Sequence, residues 1–496
     1  MIHFGTAGWR GIIGDEFTFH NVRLVTQAIV DHLLSADASR SLVVGYDTRF
    51  LSEKFASEAA KVLSQNGIRA MVCDRDVPTP TISFCILGAG AGGGLNFTAS
   101  HNPPEYNGLK FSDRSGAPAL PDTTAAIEAR IREREADFVD EYFQDDAHVE
   151  RIDPSGPYLE HVASLIDLQA IADSGLRVAV DSLYGTGRDY LDRLLIEAGV
   201  ECDVLHNFRD PYFGGYSPQS TEENLGELKR RVASAGFDLG LATDNDCDRF
   251  AIVDSDGSWL NPNDVLGLVA HYVLTERGPV GDLGRTVSTT HLLDRIADWH
   301  GVRVHETPVG FKYIGDLLRR DQIVMGGEES AGLSIAGHLP EKDGILACLL
   351  VAELAARFGT PLRQHLESLR EKVGRSVHER LDYRITPEIE AEVLERLDAA
   401  PDELAGTPVS SVSRTDGTKL HFEDGSRFLY RRSGTEPMIR CYAEAANTGR
   451  TRQLHDAGRR FLFRPSSPGD RPAAQSAGPA DEARDARDAE RHDAPD

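Results

Sequence analysis

Three stretches of the chain repeat one pattern of apolar and polar positions. Each has an apolar, β-branched run, a polar loop, a segment with helical periodicity that ends in Gly, and a second apolar run. Glycine just past a helix adopts the left-handed conformation that satisfies the last carbonyls, and we expect this at Gly67, Gly199 and Gly301. Strand–helix–strand units of this length predict right-handed crossovers. The sequence therefore predicts three α/β domains with mixed, largely parallel sheets, over residues 1–150, 151–258 and 259–373.

The pattern changes after Gly374. From Val409 onward, short strand-like runs are separated by the pairs Asp416-Gly417 and Asp424-Gly425, which are strong hairpin signals. We therefore expect a smaller α+β domain over residues 374–463. Residues 464–496 contain no large apolar side chain, so this tail cannot bury enough surface to offset the entropy of ordering. It is predicted to be disordered.

Charge and cysteine usage narrow the class of protein. The formal net charge is -26 over 496 residues, which would repel nucleic acid, so a phosphate site has to be built locally from basic side chains, backbone amides or a metal. The six cysteines form no CxxC pair, which is typical of reduced thiols. We see neither a signal-peptide pattern nor an apolar run of about 20 residues. We expect a cytoplasmic protein that contacts no membrane.

The segment FTASHNPPEYNGLK places Ser100 beside His101 in a loop after a short strand. Ser100 is a candidate nucleophile, which would need activation by a base or a metal; the alternative is an ordinary polar turn. The preceding glycines match GxGxxG at Gly88, Gly90 and Gly93. A dinucleotide fingerprint should open a helix, whereas this one runs into a strand, so we reject that interpretation.

The segment LATDNDCDR alternates Asp244, Asp246 and Asp248 directly after an apolar run. Three carboxylates this close repel one another unless a cation neutralises them, and hard oxygen ligands favour Mg²⁺. An EF-hand is excluded, because Arg249 stands where Gly is required and Ser255 where Glu is required. Two alternatives stay open, a solvated acidic turn and an aspartyl-phosphate enzyme with Asp244 as nucleophile.

Two further regions offer polar groups to a substrate. RRSGTEPMIR combines arginines, hydroxyls and a turn of backbone amides into a candidate anion site, although it could simply link two strands. The loops TPVGFK, ending at Lys312, and GGEESAG, with Glu328, Glu329 and Ser330, suit hydrogen bonds to sugar hydroxyls or the capping of a helix.

TASHNP, NGLK, DxDxDR, GEES and SGTEP occur here in one order that resembles the α-D-phosphohexomutases, the phosphoglucomutase and phosphomannomutase family. The resemblance runs from FGTAGWRG to RRSGTEP. It implies three α/β domains and a smaller α+β domain around a central cleft. It also implies phosphoryl transfer between the 1- and 6-positions of a hexose phosphate, through a phosphoserine and a hexose 1,6-bisphosphate that acts as intermediate and activator.

The resemblance also implies roles for residues. The implied catalytic residues are Ser100 as phosphoserine, Lys110 as general base with His101 as an alternative, and Arg10 and Arg249 as cations. A neutral Lys110 would require its pKa to be lowered by burial or by nearby cations. One Mg²⁺ per chain is implied on Asp244, Asp246, Asp248 and an oxygen of the Ser100 phosphate. The implied substrate contacts are Lys312, Glu328, Ser330, Lys342, Arg431, Ser433, Gly434, Thr435 and Arg440.

GEES followed by EKDG, residues 341–344, resembles the members of the family that handle glucose. We therefore expect glucose 1-phosphate and glucose 6-phosphate, with mannose as the nearest alternative and glucosamine after it. Rivals from other classes are a metal-dependent sugar-phosphate phosphatase and an inactive sugar-phosphate sensor. We expect a monomer or homodimer and a hinge near residues 370–410. Cys247 replaces the Gly or Ala usual in the family, and would either crowd the metal loop or make activity sensitive to oxidation.

Overall fold

The computed structural model describes residues 2–4, 8–35, 39–138, 146–278, 281–433, 437–463 and 475–476. The chain divides into two compact units. The first comprises Met1–His378 with Arg414–Asp416, and the second comprises Glu379–Ser413 with Gly417–Asp496. Within the described residues, the strands form four sheets of six, five, four and seven strands. Apart from strand 475–476, the predicted tail lies outside the described residues.

The first sheet is mixed, with strand order β1-β5-β4-β2-β3-β6. Strands β4, β2, β3 and β6 are parallel to one another, whereas β5 pairs antiparallel with β4. Gly67 has a φ of 69° just after α2, as predicted for a helix end. Its elements are β1 Trp9–Ile12, α1 Phe19–Ser35, β2 Ser41–Tyr46, α2 Ser52–Gln65, β3 Arg69–Cys73, α3 Thr79–Ala89, β4 Gly93–Phe97, β5 Tyr106–Asp113, α4 Pro121–Glu135 and β6 Val149–Ile152.

The second sheet has the order β11-β10-β9-β7-β8. Strands β9, β7 and β8 are parallel, whereas β10 returns antiparallel to β9 through the tight loop that carries the three aspartates. Every position of β9 and β10 is buried. The elements are α5 Ser155–Ser164, α6 Leu168–Asp173, β7 Arg177–Asp181, α7 Leu191–Glu197, β8 Glu201–Leu205, α8 Gly226–Ala235, β9 Leu239–Thr243, β10 Phe250–Asp254 and β11 Trp259–Leu260.

The third sheet has the order β13-β12-β14-β15, with two parallel pairs and one antiparallel pair. Asp343 caps α12 because its carboxylate accepts from the backbone amides of Ile345 and Leu346. The elements are α9 Pro262–Glu276, β12 Leu283–Thr286, α10 Leu292–His300, β13 Val304–Thr307, α11 Phe311–Arg319, β14 Met325–Glu328, β15 Gly332–Ile335, α12 Gly344–Phe358 and α13 Leu362–Val373.

The fourth sheet is built from antiparallel hairpins, which the Asp-Gly pairs predicted. Gly417 and Gly425 both have a positive φ, of 85° and 77°, which the turns require and glycine adopts without steric cost. The elements are β16 Val377–Arg384, α14 Pro387–Leu397, β17 Glu403–Leu404, β18 Thr407–Ser413, β19 Thr418–Phe422, β20 Arg427–Arg432, β21 Met438–Ala445, α15 Thr448–Leu462 and β22 Gln475–Ser476.

The pairing of strands in the first two sheets suggests other positions for two of the predicted domain boundaries. A boundary at 150 would cut β6, whose residues pair with β3 of the first sheet. A boundary at 258 would separate β11 from β10, with which it pairs in the second sheet. We therefore propose ends after Ile152 and Leu260, because a strand belongs to the sheet that satisfies its backbone hydrogen bonds.

None of the described helices is by itself long and apolar enough to cross a membrane. Only α12 and α13 taken together pass that test by length and composition, and they are bent by 81° relative to each other.

Candidate active site

The three aspartates lie in the loop between β9 and β10. All three are buried, and one ligand oxygen of each lies within 4.8 Å of the others. Oδ2 of Asp244 and Oδ1 of both Asp246 and Asp248 are buried without a hydrogen-bond partner among the described residues. Burial and the neighbouring carboxylates raise the pKa of Asp244. The three clustered carboxylates, each with one buried oxygen not used in a hydrogen bond, fit a Mg²⁺ ion, which takes oxygen ligands and would relieve the repulsion between them.

Two lysines lie against the same carboxylates. Nζ of Lys110 is 2.6 Å from Oδ2 of Asp246 and 3.0 Å from Oδ2 of Asp248, and Nζ of Lys342 is 2.7 Å from Oδ2 of Asp248. Burial alone would raise the pKa of Asp248, but the two lysines outweigh burial and hold it well below its usual value. In the same way burial alone would lower the pKa of Lys110, but the carboxylates outweigh it and raise the pKa. The condition set above for a neutral Lys110 is therefore not met in this arrangement.

Ser100 lies in the loop after β4, buried and with a φ of 51°. Its backbone amide donates to Oγ1 of Thr98 at 2.8 Å, and Oγ1 of Thr98 donates to Oδ2 of Asp246 at 3.4 Å. One hydroxyl thus joins the serine loop of the first sheet to the acidic loop of the second. The structure brings these two segments together, as the sequence required.

His101 belongs to the serine loop, and Arg10 contacts this loop from β1. Nη1 of Arg10 donates to Oδ1 of Asn102 at 2.6 Å, and burial and Arg249 lower the pKa of Arg10 to about 10. Nδ1 of His101 is buried without a hydrogen-bond partner among the described residues. Burial and the nearby arginines lower the pKa of His101 well below its usual value. Arg249 itself donates its backbone amide to Oδ1 of Asp244 at 3.1 Å.

This geometry can be compared with known proteins. Four family models match in chain order: phosphoglucomutase/phosphomannomutase alpha/beta/alpha domain I over residues 1–137, domain II over 156–257, domain III over 261–373 and the C-terminal domain over 385–466. A phosphoglucomutase of Komagataeibacter xylinus is 30% identical over 90% of this chain and 87% of its own length. The chain belongs to the phosphoglucomutase/phosphomannomutase family. It is a phosphohexomutase, an isomerase of a Mg²⁺-dependent family.

Other members of the family are equally similar and carry different sugar names. A protein of Methanopyrus kandleri described as a probable phosphoglucosamine mutase is 32% identical, over 92% of this chain and 96% of its own. A crystal structure from Thermus thermophilus, provisionally described as a phosphomannomutase, has a TM-score of 0.80 and 32% identity over 93% of this chain and 99% of that one. The four-domain fold of the phosphohexomutases is therefore confirmed, and similarity alone does not choose the sugar.

The predicted sugar loop connects β14 and β15. Oε1 of Glu328 accepts from the backbone amide of Gly310 at 3.0 Å, just before α11, whose second residue is Lys312. Burial raises the pKa of Glu328 and lowers that of Lys312. Ser330 is half-buried, and the backbone amide of Glu329 donates to Oγ1 of Thr289 at 3.0 Å. Glu328 and Ser330 of the phosphohexomutase therefore lie at the turn between β14 and β15, and Lys312 lies near the start of α11.

The candidate phosphate loop belongs to the second unit. Arg431 on β20 is the cross-strand partner of Arg440 on β21. The backbone amide of Ser433 donates to the carbonyl of Met438 at 2.9 Å, which closes the loop between the strands. Gly434 and Thr435 lie outside the described residues.

The burial of Cys247 bears on the two alternatives for this residue. Cys247 has a φ of 56°, in the left-handed region that favours glycine. Its side chain is buried, and Sγ lies 3.4 Å from Oγ1 of Thr186 and 3.4 Å from Oγ1 of Thr243. An oxidant has no direct access to such a thiol, which argues against sensitivity to oxidation. Both contacts of Sγ are hydrogen bonds with the threonine hydroxyls, so they are not steric overlaps.

Sequence reasoning missed several polar residues of this site. Asp47, Thr48 and Arg49 follow β2 directly and are fully buried; the signal was present as an Asp-Thr-Arg run after an apolar strand. Glu341 is also buried, and burial raises its pKa to about 7. Oγ1 of Thr79 donates to Oδ2 of Asp246 at 3.0 Å, a contact between two sheets that no local pattern indicates.

Proposed function

We propose that this phosphohexomutase interconverts glucose 1-phosphate and glucose 6-phosphate through a phosphoserine at Ser100. The observation that carries the proposal is the hydrogen bond from Oγ1 of Thr98 to Asp246, with the amide of Ser100 bound to the same hydroxyl. A nucleophilic hydroxyl loop held against three carboxylates suits phosphoryl transfer, which depends mainly on positioning and charge stabilisation.

Mg²⁺ would be held by Asp244, Asp246 and Asp248 together with an oxygen of the Ser100 phosphate. When bound, it would neutralise charge on the transferring phosphoryl group. The clustering of the three carboxylates, each with one buried oxygen that makes no hydrogen bond among the described residues, supports this assignment.

In the first half-reaction O6 of glucose 1-phosphate bonds to the phosphorus of phosphorylated Ser100, while the bond from that phosphorus to Oγ breaks and the O6 proton passes to a base. The product is glucose 1,6-bisphosphate. After the bisphosphate has turned round, Oγ of Ser100 bonds to the phosphorus at C1, and O1 leaves and takes up a proton. The phosphoserine is restored and glucose 6-phosphate is released. No phosphate is gained or lost in a full cycle.

The chain's own cations stabilise the transferring group. Arg10 and Arg249 are half-buried beside the serine and acidic loops, and Lys342 neutralises Asp248. We keep Lys110 as the proposed general base, with His101 as the alternative. For Lys110 to act as a base, its ion pairs with Asp246 and Asp248 must first be broken.

The remaining contacts are assigned by chemistry. We propose that Glu328 and Ser330 bind the sugar hydroxyls, that Lys312 assists them, and that Arg431, Ser433 and Arg440 bind the phosphate that is not reacting, with Gly434 and Thr435 completing that loop. Paired guanidinium groups bind phosphate in a fixed geometry.

Glucose is proposed because GEES and EKDG resemble the loops of glucose-handling members. The similarity to the phosphoglucomutase of K. xylinus also supports it. Mannose differs from glucose in the orientation of one hydroxyl, so phosphomannomutase activity is the second candidate.

The test offers glucose, mannose and glucosamine 1-phosphates separately, with Mg²⁺ and a trace of the matching 1,6-bisphosphate. We expect the highest kcat/KM with glucose 1-phosphate and loss of turnover with a chelator. Ser100→Ala should abolish turnover and remove one phosphoryl mass from the intact protein. Ser64→Ala, at a buried serine whose hydroxyl accepts from the amide of His148, should retain both.

Two results would overturn the proposal. Net release of inorganic phosphate as the main reaction would indicate the phosphatase. Binding of hexose phosphate without turnover of any of the three sugars would indicate the sensor.

A further inference from the structure

Arg49 is a fully buried arginine whose guanidinium group binds backbone carbonyls of the serine loop. Nη1 donates to the carbonyls of Pro103 and Tyr106, at 2.7 and 3.0 Å. Nη2 donates to the carbonyls of Ser100 and Asn102, at 2.6 and 2.5 Å. One guanidinium group thus binds four carbonyls of the segment from Ser100 to Tyr106, including the carbonyl of the proposed nucleophile.

Asp47, two residues earlier, joins this arginine to the acidic loop. Oδ2 of Asp47 lies 3.2 Å from Nε of Arg49 and accepts from Nδ2 of Asn245 at 2.6 Å. Asn245 stands between the first two aspartates of the acidic loop. Oγ1 of Thr48 also donates to Oδ1 of Asn245, at 2.9 Å. A single carboxylate oxygen therefore contacts both the arginine that holds the serine loop and the amide side chain of the acidic loop.

The joint is rigid. Oδ1 of Asp47 accepts from the amide of Arg49 at 3.0 Å and from Oγ of Ser52 at 2.7 Å, and the guanidinium of Arg49 lies 5.1 Å from the ring centroid of Phe213. Burying a charged group is costly unless it is paired and hydrogen-bonded. Nε of Arg49 makes no hydrogen bond within the described residues, so the ion pair with Asp47 is its compensation. Together these contacts restrain the serine loop and the acidic loop relative to each other.

The backbone of Ser100 has a strained conformation that needs such a restraint. Its φ of 51° lies in the left-handed region, which costs a non-glycine residue of order 1 kcal/mol or more and persists only where the surroundings hold it. The bond from Arg49 to the carbonyl of Ser100 acts on the same residue.

We propose that Asp47 and Arg49 are positioning residues that set the distance between the nucleophile of Ser100 and the metal-binding loop, and that they act as one unit. Neither touches the reacting atoms. The inference rests on the proposed function, since it concerns the rate at which Ser100 exchanges the phosphoryl group.

Two variants remove different contacts between these residues and the two loops. Asp47→Asn keeps the shape and the acceptor for Ser52, but its amide nitrogen can no longer accept from Asn245. Arg49→Lys keeps the charge, but a single ammonium group cannot reach four carbonyls. Because a misplacement of about 1 Å can cost about 10²-fold in rate, we expect kcat to fall about 10²-fold in each variant. KM for the hexose 1-phosphate should stay within about threefold, because substrate contacts are unchanged.

The matched controls are a buried arginine and a buried aspartate away from the two loops. Arg285 pairs with Asp294 and Glu306 at 2.6 Å each, and Asp192 is buried on α7. Arg285→Lys and Asp192→Asn should keep kcat within about threefold of the unaltered protein.

The double variant and the phosphorylation state separate positioning from a structural role. Asp47→Asn combined with Arg49→Lys should lose no more than about threefold beyond the worse single variant, because groups that act as a unit are not additive. Intact mass after brief mixing with the bisphosphate should show Ser100 phosphorylated about 10²-fold more slowly than in the unaltered protein.

The outcomes are distinguishable. If the unaltered protein turns over none of the hexose 1-phosphates, the proposed function fails and this inference fails with it. If the unaltered protein is active and the test variants keep their kcat, or lose only as much as the controls, the proposed function stands and the positioning role is overturned. Fully additive losses in the double variant would overturn the claim that the two residues act as one unit.

Discussion

Nζ of Lys342 lies 2.7 Å from Oδ2 of Asp248, so a residue of the third sheet's EKDG loop directly neutralises a carboxylate of the second sheet's acidic loop. Both side chains are largely buried. The two residues are 94 positions apart in the chain, and their contact depends on how the two sheets pack.

Lys342→Met should lower kcat/KM about 10²-fold, which is the usual cost of removing one cationic or hydrogen-bonding group from a preorganised anionic site. Steady-state kinetics at saturating Mg²⁺ measures kcat/KM of the variant and of the unaltered protein. Lys229→Met removes a partly exposed lysine, paired with Glu222 at 2.6 Å, and should leave kcat/KM unchanged. Equal losses in the two variants would contradict a local role for Lys342.

Asp246→Asn should abolish the stabilisation that Mg²⁺ confers on the fold. A ligand that binds only the folded state stabilises it by about 2.7 kcal/mol at 100 times its Kd, so Mg²⁺ should raise the Tm of the unaltered protein. The variant keeps the shape of Asp246 but loses its charge, so its Tm should not respond. Thermal unfolding with and without Mg²⁺ checks this, and Asp192→Asn should respond like the unaltered protein.

Gly344→Ala should destabilise the fold by about 1–3 kcal/mol, the usual cost of overpacking. A Cβ at Gly344 would overlap the carbonyl group of Arg249, which follows the acidic loop. Denaturant unfolding measures the change. Gly226→Ala is the matched control, since a Cβ at this exposed position on α8 meets no described atom within 4 Å and the substitution should be neutral or stabilise by about 0.4–1 kcal/mol.

His206 should make stability depend on pH. A hydrogen bond to Asp181 raises the pKa of His206, and Glu227 adds to this. The ring of Tyr184 packs against the imidazole, with ring centroids 4.5 Å apart and the planes tilted by 36°. A raised folded-state pKa means that the stabilisation is complete below the unfolded pKa of about 6.5 and is lost as pH rises through the folded value. The Tm difference between the unaltered protein and His206→Gln should therefore be larger at about pH 6 than at about pH 9.

His148→Gln, at an exposed histidine, serves as the control for replacing an imidazole with an amide. A Tm difference for His206→Gln that grows as the pH rises would contradict the assigned sign.

The order of strands, helix ends and hairpins could be predicted from the sequence, because these features depend on local chemistry. Gly67 and Gly301 close helices with positive φ values as expected, since only glycine adopts that conformation without cost. The Asp424-Gly425 turn likewise joins two antiparallel strands. The candidate residues of the active site were also found locally, because the alternating aspartates and the Ser-His pair carry chemistry that needs few neighbours to be recognised.

The sequence by itself determined the four-domain plan, the family and the candidate side chains of the active site, because periodicity, turn residues and short motifs act over a few positions. Only the tertiary structure decided how the motifs are joined: Thr98 to Asp246, Lys342 to Asp248, and Asp47 and Arg49 to both loops. These contacts span from about 50 to about 200 positions, and no spacing rule reaches that far. Buried polar groups must find partners wherever the packed sheets bring them.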